Sequence, residues 1–467
     1  MANSIIEQKP RLETLTVGQD IIFVVSNATA VANETKVKFG MEIHISGTTP
    51  PNVSNANNLI GTFKTTPNNA GVGIFDLRNV VENYVKADNM AANGSSYKLT
   101  ATTDNRPHPI HLIDKLSLSN NSIKYMALQF FVEYLNTTTN VVERAAGTSF
   151  NSDLYKIFNG YLKYSDILEL DANGNFGYDV TKFRPTNSDK IFLTNAPTTL
   201  YSNINDYGTL SFLMDNAVSL ALAYNVRFTY YDSNGTPLGA ENVAIDSLNG
   251  AYDTWSADAK KLILHAGCYP GNLKNWSTAF NSLVLSGDIV GGYYTVALSG
   301  TTARTQTYTI NLNCPNTKGF ESIRLTWLNQ WGVWDYFSFT KKSVRSMSTE
   351  GTTYNQLQGT WNKSKYQIDS FKGGKKSFRV NATERITMNT GFLAEADSVV
   401  FEELINSPEV YLLEGFQLDV TGSALNQYVK PVRLITSSFT TKTKANDNLI
   451  QYDFEIEKSK TLRTQSV

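Results

Sequence analysis

The sequence is poor in the residues that carry most enzyme chemistry: its 467 residues hold only four His and two Cys. With Cys268 and Cys314 as the only thiols, a disulfide framework would add little to so long a chain. Both cysteines read as buried or incidental thiols of a reducing compartment. Charge is also sparse. Charged residues are 18% of the total, and 41 Lys+Arg against 42 Asp+Glu leave a net charge of -1. That balance lays down no electrostatic footprint for nucleic acid or an anionic membrane. No apolar run approaches the roughly 20 residues that cross a bilayer, the nearest being strand-like segments such as IIFVVSN, so membrane insertion is not expected. The opening residues MANSIIEQKPRLETL show no basic stretch followed by an apolar run and a small-residue cleavage site. Assembly in a cytoplasm is the expectation. No repeat with a period of roughly 20 to 50 residues is visible, which speaks against solenoids and propellers.

What is abundant is aromatic. Phe, Trp and Tyr make up 12%, with 24 Tyr and 24 Phe, a composition suited to half-buried sheet surfaces. The predicted fold class is mainly β, multi-domain, with β-sandwich or barrel-like domains and one or two short helices. Apolar runs of strand length bounded by Asn, Gly, Asp, Ser or Pro recur from end to end, and KYMALQFFVEYL is apolar enough to be buried on both faces. FDLRNVVENYV predicts a helix, with Asp76 as N-cap and Val80, Val81, Tyr84 and Val85 on one face. A second helix is expected over residues 395–404. Asn234-Gly235 predicts a hairpin, because both residues tolerate positive φ.

The chain exceeds the length at which one core keeps growing, so two or three domains are expected. The turn-rich stretch DANGNFGYDVTKFRPTNSD places a boundary near residue 185, and Cys314-Pro315 another near 318. These give an N-terminal β-rich domain (1–185), a middle β domain (186–318) and a C-terminal β-rich domain (319–467). Within the last, residues 343–383 are rich in Ser, Thr, Lys, Gly and Asn and predict mobile loops or long exposed hairpins. LIQYDFEIE alternates: Ile450, Tyr452, Phe454 and Ile456 share one face, and Leu449, Gln451, Asp453, Glu455 and Glu457 the other. A terminal strand with one apolar face needs a partner sheet, from its own chain or from a neighbour.

Each motif with chemical potential has a plainer reading. His108 and His111 stand three apart, but prolines around them argue against the helix that chelation at that spacing needs. His265 and Cys268 could pair as base and nucleophile, yet Gly267, Pro270 and Gly271 explain the segment as a turn. Asp171, Asn173, Asn175 and Asp179 resemble a calcium loop, but Phe176 stands where the sharp turn needs Gly and no Glu closes the loop. AGVGIFDL lacks a full GxGxxG and a βαβ setting. Glu402-Glu403 and the pair Glu455 and Glu457 read as solvated faces. No catalytic, cofactor-binding or metal-binding residue is assigned, and no enzyme activity is expected.

TFKTTPNNAGVGIFDLRNVVENYV, FLTNAPTTLYSNINDYGTLSFL, RLTWLNQWGVWDYFSF, NTGFLAEADSVVFEELINSPEVYLL, KPVRLITSSFTTKT and NLIQYDFEIEKS, spread over most of the chain, resemble segments of one family. This is a family of tailed-bacteriophage virion structural proteins of tail or baseplate type, seen in phages of Bacteroidetes and marine bacteria. The resemblance implies a virion component and no cofactor or catalytic residue. Its most specific piece is Trp327-Leu328-Asn329, Gly332 and Trp334-Asp335-Tyr336. Structurally, Asn329 and Asp335 would lock a turn by side-chain hydrogen bonds while the aromatics pack beneath. Functionally, the same cluster would be an exposed sugar platform, so the accessibility of Trp327, Trp331 and Trp334 discriminates. The expected role is self-assembly as a cyclic homo-oligomer with other virion proteins, with the apolar face of Tyr452 and Phe454 at or near a subunit boundary. Binding of a host-surface glycan is the second reading, and a virion-associated glycan hydrolase the third.

Overall fold

Alternation of apolar and polar side chains decides where this chain forms strands, and it produces a mainly β protein with 48% strand and 14% helix. The computed structural model describes residues 4–54, 56–88, 110–112, 115–119, 121–167, 178–214, 224–245, 258, 261–312, 320–414, 428–438, 440, 450–460 and 462–463. The chain divides into two compact units, Met1–Cys314 with Leu328–Asp335, and Pro315–Trp327 with Tyr336–Val467. The expected edge near residue 185 falls inside the first unit, and the second unit begins close to the edge expected at 318.

The first unit contains a sandwich. One sheet runs in the order Thr14–Gly18, Tyr155–Tyr161, Ile123–Asn136, Thr35–Ser46, Leu59–Thr65, with Val141–Arg144 and Phe150–Asn151 also pairing to Ile123–Asn136. The other has Ile22–Ser26 between Ile5–Gln8 and Val72–Asp76. Phe23, Phe75, Phe130 and Tyr155 meet in the core, the Phe23 ring lying 5.8 Å from Phe130 and edge-on to Tyr155 at 5.4 Å. The predicted helix at Asp76 is one turn, Arg78–Val81, followed by a 3-10 turn. Asp76 accepts from the Arg78 amide at 3.0 Å, and Val81 and Val85 are buried.

A five-stranded sheet in the order Thr199–Ser202, Tyr308–Leu312, Tyr293–Ser299, Asn225–Tyr231, Pro237–Ala244 completes most of this unit. Asn225–Tyr231 and Pro237–Ala244 form the hairpin expected at Asn234-Gly235, with Asp232 accepting from the amides of Asn234 and Thr236. Helices Pro270–Trp276 and Thr278–Ser286, which the sequence reading did not anticipate, bring Trp276 against Phe228 and Phe280 against Tyr230 and Tyr294. With Ala28–Asn33, Tyr164–Ile167 and Ser398–Asn406 also helical, the expectation of one or two short helices was too low. Ser398–Asn406 is the helix expected over residues 395–404, while the unpredicted ones are short and interrupt strand-like composition. No sheet among the described residues closes into a barrel.

The second unit is built on an eight-stranded sheet: Trp334–Phe339, Ile323–Leu328, Val410–Leu413, Val429–Leu434, Asp453–Lys458, Gly374–Asn389, Ser343–Gln356, with Leu462–Arg463 on Gly374–Asn389. The apolar face of LIQYDFEIE is satisfied inside its own chain. Asp453–Lys458 lies between Val429–Leu434 and Gly374–Asn389, and helix Ser398–Asn406 stacks Phe401 on Phe454 at 5.4 Å. Tyr452 shares a hydrogen bond of 3.1 Å with Ser398. Ile450, Tyr452, Phe454 and Ile456 are all buried, which corrects their expected place at a subunit boundary: the face that looked too apolar for water is core. Glu455 and Glu457 occupy the opposite face, where Glu457 pairs with Arg385 and Arg433.

Phe454→Ala should therefore destabilise the second unit by about 3–5 kcal/mol, the usual cost of emptying a buried aromatic site. Chemical denaturation of the substituted chain checks this, and an unchanged midpoint would contradict the core assignment.

Candidate interaction site

The aromatic turn is fixed by side-chain hydrogen bonds to several segments of the chain. Residues 328–335 belong to the first unit. Asn329 accepts from the amides of Trp331 and Val333 through Oδ1 and donates from Nδ2 to the Leu193 carbonyl at 2.9 Å. Trp331 donates to Asn195 at 3.2 Å and stacks on Tyr178. Trp334 donates to the Asp88 carbonyl at 2.6 Å, and Asp335 accepts from Thr194 at 2.7 Å. At Gly332, φ is +71° and a Cβ would stand 1.9 Å from the Asn159 carbonyl oxygen, so only glycine fits. Tyr336, in the second unit, lies over the Arg324 guanidinium at 5.1 Å.

Trp327, Trp331 and Trp334 are 0%, 1% and 2% exposed. The discriminating observation therefore goes against a sugar platform at this cluster. Side chains that would have stacked on a glycan pack the protein instead, with the N–H of Trp331 and of Trp334 hydrogen-bonded inside it.

A second constellation, missed in the sequence, has the residue types of a hydrolase. Ser211 and His265 Nδ1 share a hydrogen bond of 2.8 Å, and His265 Nε2 lies 3.8 Å from the Asp88 carboxylate. Asp88 also accepts from the Asn121 amide and from the amide and hydroxyl of Ser122. Only the structure reveals it, since the three residues lie far apart in sequence. Ser211, His265 and Asp88 are 3%, 0% and 1% exposed, so their polar groups face one another inside the protein. This is a buried polar network.

The remaining motifs resolve in the same direction. Cys268 does not face a base in solvent: it is buried, and burial pushes its thiol up to about 12. His111 is buried edge-on against Trp334 at 4.9 Å. His108, Cys314, Asp171, Asn173 and Asn175 lie outside the described residues. Asp179 caps a 3-10 turn by accepting from the Thr181 amide. Gly73 is pressed against the Phe39 ring, where a Cβ would come within 2.7 Å of it, so the AGVG segment serves packing. Glu403, read as solvated, is instead 1% exposed, because the helix that carries it turns that face into the core. Among the described residues no group of three or more His, Cys, Asp or Glu could hold a metal ion.

The exposed counterpart to these buried sites is the stretch that promised loops or hairpins. Ser343–Gln356 and Gly374–Asn389 pair from Ser343–Met388 to Gln356–Gly374 as one long ribbon of about 45 Å. Its end carries a smaller hairpin, Gly359–Trp361 with Tyr366–Ile368. Tyr366 folds across Gly359, accepting from its amide at 2.8 Å where a Cβ would come within 2.6 Å of the ring. Leu357, Trp361, Ile368 and Phe371 are 77%, 61%, 67% and 72% exposed. The sequence did hold a signal for this: aromatics interleaved with lysines in a stretch too polar to build a core.

No protein-family model matches the chain, and no curated protein matches it. Among solved structures, that of MtrC from Shewanella baltica OS185 aligns with 83% of this chain at 9% identity and a TM-score of 0.13. The chain spans 65% of that protein, and the likeness is too slight to bear on fold or function.

Two carboxyl groups of the buried networks respond to pH in opposite senses. Burial pushes Asp335 up to about 6, against hydrogen bonds from Thr194 and Asn329. Its folded pKa exceeds its unfolded one, so its contribution is most favourable below about pH 4 and declines as pH rises to about 6. Burial also pushes Asp88 up, but His265, Ser122 and Asn121 outweigh it and hold the carboxyl below its ordinary value. Its contribution is present above about pH 4 and lost as pH falls. Asp335→Asn should thus raise stability at pH 7 relative to pH 4, and Asp88→Asn should lower it. Urea titrations at both pH values check the signs; the same sign for both variants would contradict the assignment. Trp334→Ala should cost about 3–5 kcal/mol by the same measurement.

Proposed function

We propose that the chain is a structural component of a tailed-phage type of virion, working by self-assembly through its exposed ribbon. The resemblance of its segments to tail and baseplate proteins supports the setting. The observation that carries the reading is the outer edge of Ser343–Gln356. Among the described residues this strand pairs only with Gly374–Asn389, leaving fourteen residues with one unoccupied edge and two wet faces. Proteins usually blunt such an edge with Lys, Pro or a covering loop. Here Arg345 and Glu350 are the only charged residues, and Arg345 is drawn aside to Glu321, Glu384 and Glu414. A two-stranded ribbon is marginal by itself in water, and pairing with a further strand adds main-chain hydrogen bonds along its length. A second copy of the chain, placed by cyclic symmetry, is the partner of this edge.

Replacing residues 351–380 by Asn-Gly joins the paired positions Glu350 and Asn381 through a two-residue turn. The melting temperature should stay where it is, since the removed residues are mostly exposed. In sedimentation velocity the full chain should form a closed oligomer and the shortened chain a monomer. An oligomer unaffected by the replacement, or a full chain that stays monomeric at every concentration, would overturn the reading.

A further inference from the structure

The tip of the ribbon differs from its shaft in both polarity and charge. Between Leu357 and Arg379 stand Lys363, Lys365, Lys372, Lys375, Lys376 and Arg379 against the single carboxylate Asp369, in a chain of net charge -1. Lys372 reaches Asp369 at 3.6 Å, while Lys363, Lys365 and Lys375 carry no ion pair among the described residues. Lys376 donates to the Phe371 carbonyl, which leaves Lys363, Lys365 and Lys375 to meet an external anion.

Register places the apolar groups together. Trp361 is directly opposite Tyr366, and Ile368 opposite Gly359, so strand alternation puts Trp361, Tyr366 and Ile368 on one face of the small hairpin. Thr360 and Gln367 take the other face, where Thr360 hydrogen-bonds to Asp369 at 2.9 Å. Leu357 and Phe371, more than 70% exposed, flank this hairpin on either side. The result is a short, double-stranded finger with an apolar face and a basic margin.

We infer that this finger docks on the surface of an anionic lipid bilayer, its Trp, Ile, Leu and Phe side chains entering the interfacial layer while its lysines meet the headgroups. The chemistry selects lipid over the other anionic partners. Protein interfaces are depleted in Lys, whereas bilayer interfaces favour Trp and Tyr beside Lys and gain from both buried apolar area and anionic charge. Aromatic platforms for sugars stand beside acidic and amide groups that are available to the ligand, and here Asn362 is bonded to Gln367 and Asp369 to Thr360. The finger lies on the surface without spanning it, which revises the expectation that a membrane has no part in the protein's contacts. Among the described residues no helix is long and apolar enough to cross a membrane.

Co-sedimentation of the full chain with vesicles tests this. Binding is expected to mixed phosphatidylglycerol and phosphatidylcholine vesicles, weak or absent on phosphatidylcholine alone, and falling as salt is raised. Trp361→Ser with Phe371→Ser should reduce the partition coefficient at least tenfold. Lys363→Gln with Lys365→Gln should reduce it by about fivefold for each lysine removed. Both variants should keep the parent's melting temperature, as the positions are exposed. Brominated lipid should quench fluorescence of the parent, and Trp361→Phe should abolish most of that quenching. No binding to anionic vesicles, equal binding to neutral ones, or binding unmoved by the substitutions would overturn the inference. So would capture of soluble polyglutamate at the tip without any vesicle binding, which would make an acidic protein the partner.

Discussion

The first unit depends on keeping water away from the turn of residues 328–335 while leaving its hydrogen-bonding groups satisfied. Two indoles in this short turn, Trp331 and Trp334, bring a large apolar gain, but each buried N–H and amide that loses water must find a partner or cost about 1–3 kcal/mol. Asn329 closes the turn on itself and ties it to Leu193, while Trp331 and Trp334 pass their N–H groups to Asn195 and the Asp88 carbonyl. The same Asp88 fastens Asn121 and Ser122 through its carboxylate. One residue thus joins the turn to the strand that begins at Ile123, and the polar network around His265 follows from that joint.

The ribbon of the second unit obeys the opposite rule. Its core end is held by apolar pairing, with Ile386 and Met388 buried beside Ile456 and Phe454. Farther along, the pairing partners disappear and the side chains turn to Ser, Thr, Asn and Lys. Backbone hydrogen bonds within the ribbon persist there without a hydrophobic face to support them. Such a ribbon gains little from its own chain, and its edge and tip are the parts with most to gain from another molecule.

Alternation made most of this legible in the sequence. LIQYDFEIE has the predicted faces, Asn234-Gly235 turns a hairpin, and Asn329 locks the aromatic turn. What alternation could not give was the origin of the covering surface: the face of Tyr452 and Phe454 is filled by Phe401 from a helix some fifty residues earlier, not by a neighbour. Glu403 misled for a related reason, since adjacent carboxylates look solvated until the packed face of their helix is known. Ser211, His265 and Asp88 were silent because strand pairing over a long separation joins the first two, and hydrogen bonds from Asn121 and Ser122 hold the third. At the ribbon tip the lysines signalled exposure correctly, but the concentration of aromatics on one face became visible only through the register of Trp361 with Tyr366.

The aromatic turn holds the first unit together, and the ribbon is the part proposed to make contacts. Amide hydrogen exchange followed in dilute and in self-associated protein tests this division most directly. The amides of Trp331 and Val333 should exchange slowly in both states. Those of residues 349–380 should exchange quickly when dilute and become protected on association. Fast exchange at the turn, or a ribbon whose exchange is the same in both states, would contradict the account.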